Sequence, residues 1–162
     1  MTQDDSQTEV GVTPLEELRK ISGLEFLRAM LAGRYPSAPI TATLGFRLAE
    51  VDPGRVVFIG TPQFKHYNPI GTVHGGYAAT LLDSCMACAV HTHLQPGQGY
   101  TTVEFKINLV RPMTAETGEV RAEGRTVNVG RQLATAEGYL YDPAGKLLAH
   151  GMTTCIILGG KA

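Results

Sequence analysis

Neither sign of charge dominates this chain. Its 162 residues carry 14 Lys and Arg against 15 Asp and Glu, a formal net charge of -1. That balance offers no electrostatic basis for binding nucleic acid or an anionic membrane. Long apolar runs are missing too. The longest, around Ala78 to Val90, is interrupted by Asp83 and Ser84 and is too short to span a bilayer. The opening stretch, MTQDDSQTEV, is acidic and polar and lacks the basic-then-apolar order of a secretory signal. Cysteine is scarce and odd in number: three thiols point to reduced side chains in a cytoplasm rather than to a disulfide framework. Cys85-Met-Ala-Cys88 lies inside an apolar helix and Cys155 stands alone, so a zinc site lacks its second pair of ligands. We expect buried packing thiols and no metal.

What is present is an ordinary globular composition, 43% hydrophobic and 18% charged, long enough for one domain with one core. Residues 1–12 have the composition of a disordered tail. Thr13-Pro14 followed by Leu-Glu-Glu opens a helical extension over 13–35, with an apolar stripe through Leu24, Leu27 and Met30 and a stop at Gly33. RYPSAPI reads as a loop. The main domain covers 40–158. Strands are expected over 43–51 and 55–61 around the turn Asp52-Pro53-Gly54, then a helix from His74 to His93. Four more strands follow, over 100–110, 117–128, 131–141 and 147–157. The predicted class is therefore α+β, one antiparallel sheet of about six strands with one principal helix on it. Such a sheet leaves a face and edges to be covered, which points to self-association.

The chemistry concentrates in NPIGTVHGGYAATLLDSCMACAV. From Tyr77 to Val90 the helix is apolar nearly all round, as in a buried helix, yet Asp83 sits at its centre. An unpartnered buried carboxylate costs several kcal/mol by order of magnitude. Asp83 therefore has either a structural partner, such as an arginine, or a chemical task. Upstream, His74-Gly75-Gly76 opens the helix. Free N–H groups of a first helical turn form a site for negative charge, and glycines there let a ligand approach. The bland alternative is that the two glycines serve only a tight turn.

Geometry sharpens this. His74 and Asp83 are nine residues apart, which in an α-helix is ~13.5 Å of rise and about 180° of rotation. They face opposite sides and cannot serve one reaction within one protomer. Both contribute to a single site only if the helix lies beside its symmetry mate, in a two-fold interface.

The run Asn68-Pro-Ile-Gly71-Thr-Val-His74-Gly75-Gly76, followed by Leu81-Leu-Asp83, resembles the N-x-x-G-x-x-H-G-G-x(6)-D pattern of hot-dog thioesterases, in particular the PaaI-like, phenylacetate-degradation type. The resemblance covers roughly 40–158, strand order included, and leaves the N-terminal helices outside. It implies a hot-dog fold, a sheet wrapped around one long helix, and hydrolysis of a small aryl- or acyl-CoA to free acid and CoA. It implies Asp83 as general base or nucleophile, and the Gly75 N–H as donor to the thioester carbonyl. His74 orients that segment, and Asn68 positions water or carbonyl from the facing subunit. Thr101 is placed near the attacking water, with Thr102 the alternative should the strand register differ by one. Gly76 and Tyr77 adjoin the substrate, and Arg125 and Arg131 flank a turn suited to the phosphates of CoA. The acyl pocket is expected near Tyr77, Leu81, Ile70, Phe26 and Tyr35. No cofactor is implied, CoA being part of the substrate, and the assembly is a homodimer or a dimer of dimers. A non-catalytic acyl-CoA binding or sensing hot-dog protein is the competing reading, and a dehydratase on hydroxyacyl thioesters ranks below both.

Overall fold

The computed structural model describes residues 9–159. The first eight residues of the expected tail lie outside them. Glu9 and Gly11 are held by backbone hydrogen bonds with Ser37, at 2.8 and 2.9 Å. Three short helices come first: α1 (Leu15–Leu18), α2 (Gly23–Leu31) and α3 (Pro39–Leu44). The helical stretch expected over 13–35 is thus broken in two. The break has a local cause, because Ser22 starts α2 with a capping box. Its hydroxyl accepts from the Glu25 N–H at 3.3 Å, and the Glu25 carboxylate accepts from the Ser22 N–H at 2.9 Å. Helix α3 corrects the reading of this stretch as loop running into strand. Pro39 occupies its first turn and Gly45, at φ +65°, ends it, the Pro-first, Gly-last signature of a helix. The first strand accordingly begins at Phe46 rather than 43.

The rest follows the expected order: β1 (Phe46–Asp52), β2 (Arg55–Gly60), α4 (Gly75–His91), β3 (Gly99–Leu109), β4 (Val120–Val129), β5 (Leu133–Tyr141) and β6 (Leu147–Leu158). All six strands form one antiparallel sheet in the order β1-β2-β4-β5-β6-β3. Strand β3 is therefore an edge, eleven residues long, with Val103 at 53% exposure and Leu109 at 58%. Among the described residues no helix is long and apolar enough to cross a membrane.

The sheet curls around α4, whose Ala78, Leu81, Leu82, Cys85, Met86, Ala89 and Val90 are fully buried against Val56, Val120, Ala122, Ala136 and Leu140. Each such large aliphatic side chain contributes about 1.5–3 kcal/mol. The close seating of the helix depends on two glycines paired across β4 and β5, Gly124 opposite Gly138. A Cβ on Gly124 would stand 2.3 Å from the Cys85 carbonyl, and one on Gly138 would stand 2.7 Å from Met86 Cγ. The opposite face of α4 carries a half-buried stripe: Thr80, Asp83, Ser84, Cys88 and His91. This stripe faces the N-terminal helices and the β3 side.

Candidate functional site

Asp83 sits mid-helix on that stripe. The Thr102 hydroxyl of β3 donates to its Oδ1 at 3.0 Å. Among the described residues Asp83 forms no ion pair, so the arginine partner of the structural alternative is absent from this set. Thr102, and not Thr101, reaches the carboxylate. In the ladder Thr102 pairs with Cys155, whose side chain is buried under the helix, whereas Thr101 pairs with Ile156 and is exposed. Both threonines line the cavity that Asp83 opens onto, and of the two it is Thr102 that makes the hydrogen bond.

Asp83, Ser84 and Thr102 open onto a cavity of about 530 Å³. Its far walls come from α2 and the segment after it, through Phe26, Leu27, Met30 and Ile40, and from Leu48 and Phe58. Of the residues expected to shape an acyl pocket, Phe26 lines this cavity and the Tyr35 ring packs against Phe26, tilted, at 5.3 Å. Tyr77 and Leu81 do not. Tyr77 is 3% exposed, stacked on His66 at 4.6 Å, and burial pushes its phenol up to about 12. Leu81 belongs to the core, and Ile70 is 85% exposed on the loop ahead of α4.

The helix start forms a different hollow, of about 270 Å³, lined by Asn68, Thr72, Gly75, Leu109 and Arg111. His74 caps α4. Its Nδ1 accepts the Gly76 N–H at 2.9 Å, which in the neutral ring puts the proton on Nε2 and leaves that N–H as a donor. The Gly76 N–H is thereby spent, while the Gly75 N–H has no acceptor among the described residues. A Cβ on Gly75 would come within 2.7 Å of Leu109 Cδ1, so the first turn and the end of β3 touch. Asn68 holds the preceding loop together. Its Oδ1 accepts from the Ile70 and Thr72 N–H groups at 3.0 and 3.3 Å, and its Nδ2 donates to the Thr72 hydroxyl at 2.9 Å.

Asp83 and the Gly75–Asn68 group thus line separate hollows of one protomer, with Gly75 ~12 Å from Asp83 along the helix. The two arginines separate as well. Arg125 is bound by Glu123 at 2.6 Å within a network on β1, β2 and β4, in which Arg121 and then Arg55 hold the Glu50 carboxyl down to about 2. Arg131 is exposed in the β4–β5 turn and forms no ion pair among the described residues.

Three features escaped the sequence reading. Ser84 lines the cavity beside Asp83, and Cys88 and His91 continue its wall. Helical spacing from Asp83 (i+1, i+5, i+8) was the available signal for all three. Burial pushes the Cys88 thiol up to about 12 and the His91 imidazole down to about 4. Cys85, Cys88 and Cys155 are free thiols. Cys85 donates to the Leu82 carbonyl at 3.3 Å.

Comparison with known proteins bears directly on this arrangement. The family described as the Thioesterase superfamily matches residues 70–149, a span that includes both hollows' helix and the β3 edge. Human acyl-coenzyme A thioesterase 13 is 32% identical over 109 residues, covering 66% of this chain and 76% of that protein. A thioesterase family protein of known structure from Silicibacter pomeroyi is 29% identical, with a TM-score of 0.73 over 86% of this chain and all of that one. The E. coli PaaI protein from the phenylacetic acid degradation operon shares the fold, with a TM-score of 0.72 at 20% identity, over 88% of this chain and 99% of that one.

Proposed function

The chain belongs to the thioesterase superfamily, and on that premise we propose that it hydrolyses an aryl- or acyl-CoA to the free acid and CoA, with Asp83 as its catalytic carboxylate. The observation that carries this reading is the placement of Asp83. Among the described residues it has no cationic partner, one oxygen is held by Thr102, and it heads an apolar cavity of acyl-group size. Asp83 acts as general base toward water or attacks the thioester itself. Either path uses the Asp83 oxygen that Thr102 leaves free. The Thr102 hydroxyl orients the carboxylate, and the acyl group occupies the cavity. General-base assistance of this kind is worth about 10²–10⁴-fold.

The developing oxyanion needs a donor, and the unspent Gly75 N–H, at the positive end of α4, is suited to it. Gly75 and Asp83 of one protomer are about 12 Å apart along the helix, so the donor comes from a second copy. The β3 edge supports this. Helix α4 runs antiparallel to β3, with Gly75 against Leu109 and Asp83 against Thr102. Two β3 edges paired antiparallel about a two-fold axis between Phe105 and Lys106 would set Leu109 opposite Thr102 of the other copy. That pairing brings the Gly75 hollow of one chain to the Asp83 cavity of the other, twice per dimer. The same pairing would cover the exposed Val103 and the unpaired edge.

In this site His74 holds the first turn of α4, Gly76 completes its cap, and Asn68 shapes the wall of the hollow. Of these two arginines, Arg131 forms no ion pair among the described residues and can take a CoA phosphate, whereas Arg125 contributes field rather than a free guanidinium. Three reduced thiols fit a cytoplasmic enzyme. The test is thiol release from a panel of aryl- and alkyl-CoA thioesters by wild type and Asp83→Ala. We expect turnover that falls at least about 100-fold in a folded, oligomeric variant. Binding of CoA esters with no turnover by wild type would transfer the protein to the binding and sensing class.

A further inference from the structure

The cavity below Asp83 has a definite far end. Helix α4 contributes Asp83, Ser84, Ala87, Cys88 and His91 to it, a single stripe that rises ~12 Å from the carboxylate to the imidazole. There the path closes. The His91 ring lies against Phe26 of α2, centroids 5.7 Å apart, and against Tyr100 of β3 at 4.9 Å. Behind these rings lies a second hollow of about 410 Å³, lined by Leu15, Leu18, Ile21 and Gly23 and, once more, by His91 and Tyr100. The same two side chains thus belong to the linings of both spaces.

Resting on the thioesterase reading above, we propose that His91 and Tyr100 form the end wall of the acyl pocket and set the longest acyl group that the protein accepts.

The wall is held in place by backbone packing. A Cβ on Gly23 would lie 1.8 Å from the His91 carbonyl oxygen and 2.4 Å from its ring Cδ2, so α2 presses against the end of α4 where only glycine fits. The Gly23 N–H also donates to the Leu94 carbonyl at 3.0 Å. An acyl chain that reaches the wall meets a His91 ring whose backbone is pinned by this contact. Burial keeps the imidazole uncharged at neutral pH, so the far end of the pocket offers nothing to a terminal carboxylate and suits an uncharged chain end. Methylenes that find no seat in a pocket cost about 10-fold or more each in specificity. The N-terminal helices, which lie outside residues 70–149, thereby acquire a role: Phe26 and Gly23 brace the wall that measures the chain.

The experiment is a series of saturated acyl-CoA thioesters from butanoyl to hexadecanoyl, assayed by thiol release with wild type, His91→Ala and Tyr100→Val. The second variant opens the same partition from the strand side, where a β-branched residue keeps the strand. Wild type is expected to show a sharp fall in kcat/KM beyond one chain length. In either folded variant the long-to-short ratio of kcat/KM should rise about tenfold or more, as the two hollows join. Calorimetric binding of the matching S-alkyl-CoA thioethers reads the same length limit without turnover. A thioether limit that moves in the variants while no thioester is hydrolysed would refute hydrolysis and retain the wall. Length profiles unchanged in both folded variants, by either readout, would overturn the wall.

Discussion

Thr102 and Asp83, nineteen residues apart in sequence, meet through a hydrogen bond of 3.0 Å from the threonine hydroxyl to Oδ1. Thr102→Val keeps the shape and removes the donor. We expect kcat to drop about tenfold or more, with a smaller change in KM, because a freed carboxylate samples unproductive rotamers. Thr101→Val, at a residue that lines the same cavity without bonding the carboxylate, should stay within about threefold of wild type. Steady-state kinetics on one CoA thioester decides between them, and equal losses in both variants would contradict the assignment.

Gly75 offers a test of a backbone donor, with Gly75→Ala as the control for the Cβ that would stand 2.7 Å from Leu109 Cδ1. It is the first residue of α4, a position that accepts proline, and His74 before it is already extended at φ -61°, ψ 137°. Gly75→Pro therefore deletes the N–H while the helix keeps its start. Loss of one oxyanion donor is worth about 10²–10³ in kcat. Circular dichroism must show an intact helix beside that loss, and an active Gly75→Pro protein would remove the N–H from the mechanism.

A site shared between copies predicts complementation. Chains carrying Asp83→Asn and chains carrying Gly75→Pro are each expected to be inactive alone. Unfolded together and refolded in equal amounts, half of the dimers are mixed, and each mixed dimer has one intact site. Activity should return to about one quarter of wild type. A site complete within one protomer would give no recovery. Val103→Asp, which puts a charge at the exposed β3 edge, should shift the mass in light scattering toward monomer and abolish turnover with it.

Burial of His91 makes stability depend on pH in a definite sense. Its folded value lies at about 4, below the usual 6.5, so the unfolded chain binds an extra proton between these values. Stability from this residue is complete above about pH 6.5 and is lost as pH falls toward 4, on the order of 3 kcal/mol across that window. Denaturant unfolding of wild type and His91→Phe at pH 7 and pH 5 should show a steeper loss for wild type. Parallel losses would mean that the imidazole is protonated in the folded protein.

The glycine pair under α4 predicts a cost for a single methyl. Gly138→Ala puts a Cβ 2.7 Å from Met86 Cγ and 3.2 Å from a Leu82 methyl. Overpacking of this kind costs about 1–3 kcal/mol, read as a lower urea midpoint at unchanged slope. Gly145→Ala at an open turn provides the contrast, since only its backbone at φ +79° resists the change.

Periodicity and spacing made much of this protein legible in one dimension. Six strands, the long helix and its start at His74-Gly75-Gly76 follow from alternation, turn residues and an apolar run. The separation of His74 from Asp83 follows from helical pitch alone, since rise and rotation per residue are constants of the backbone. Other features depend on which distant segments touch. Thr101 and Thr102 are equivalent in sequence, and only pairing with β6, which turns Cys155 and Thr102 toward the helix, separates them. Tyr77 reads as a pocket residue beside the motif, yet the turn of α4 carries it into the core against His66. Arg125 reads as a free cation until strand pairing places Glu123 and Arg55 around it. His91 lies near the end of the expected helix, and it becomes a wall because α2, far upstream in the chain, packs over it through Gly23. Local conformational preference writes the elements into the sequence, whereas long-range packing assigns each side chain its neighbours and, with them, its chemistry.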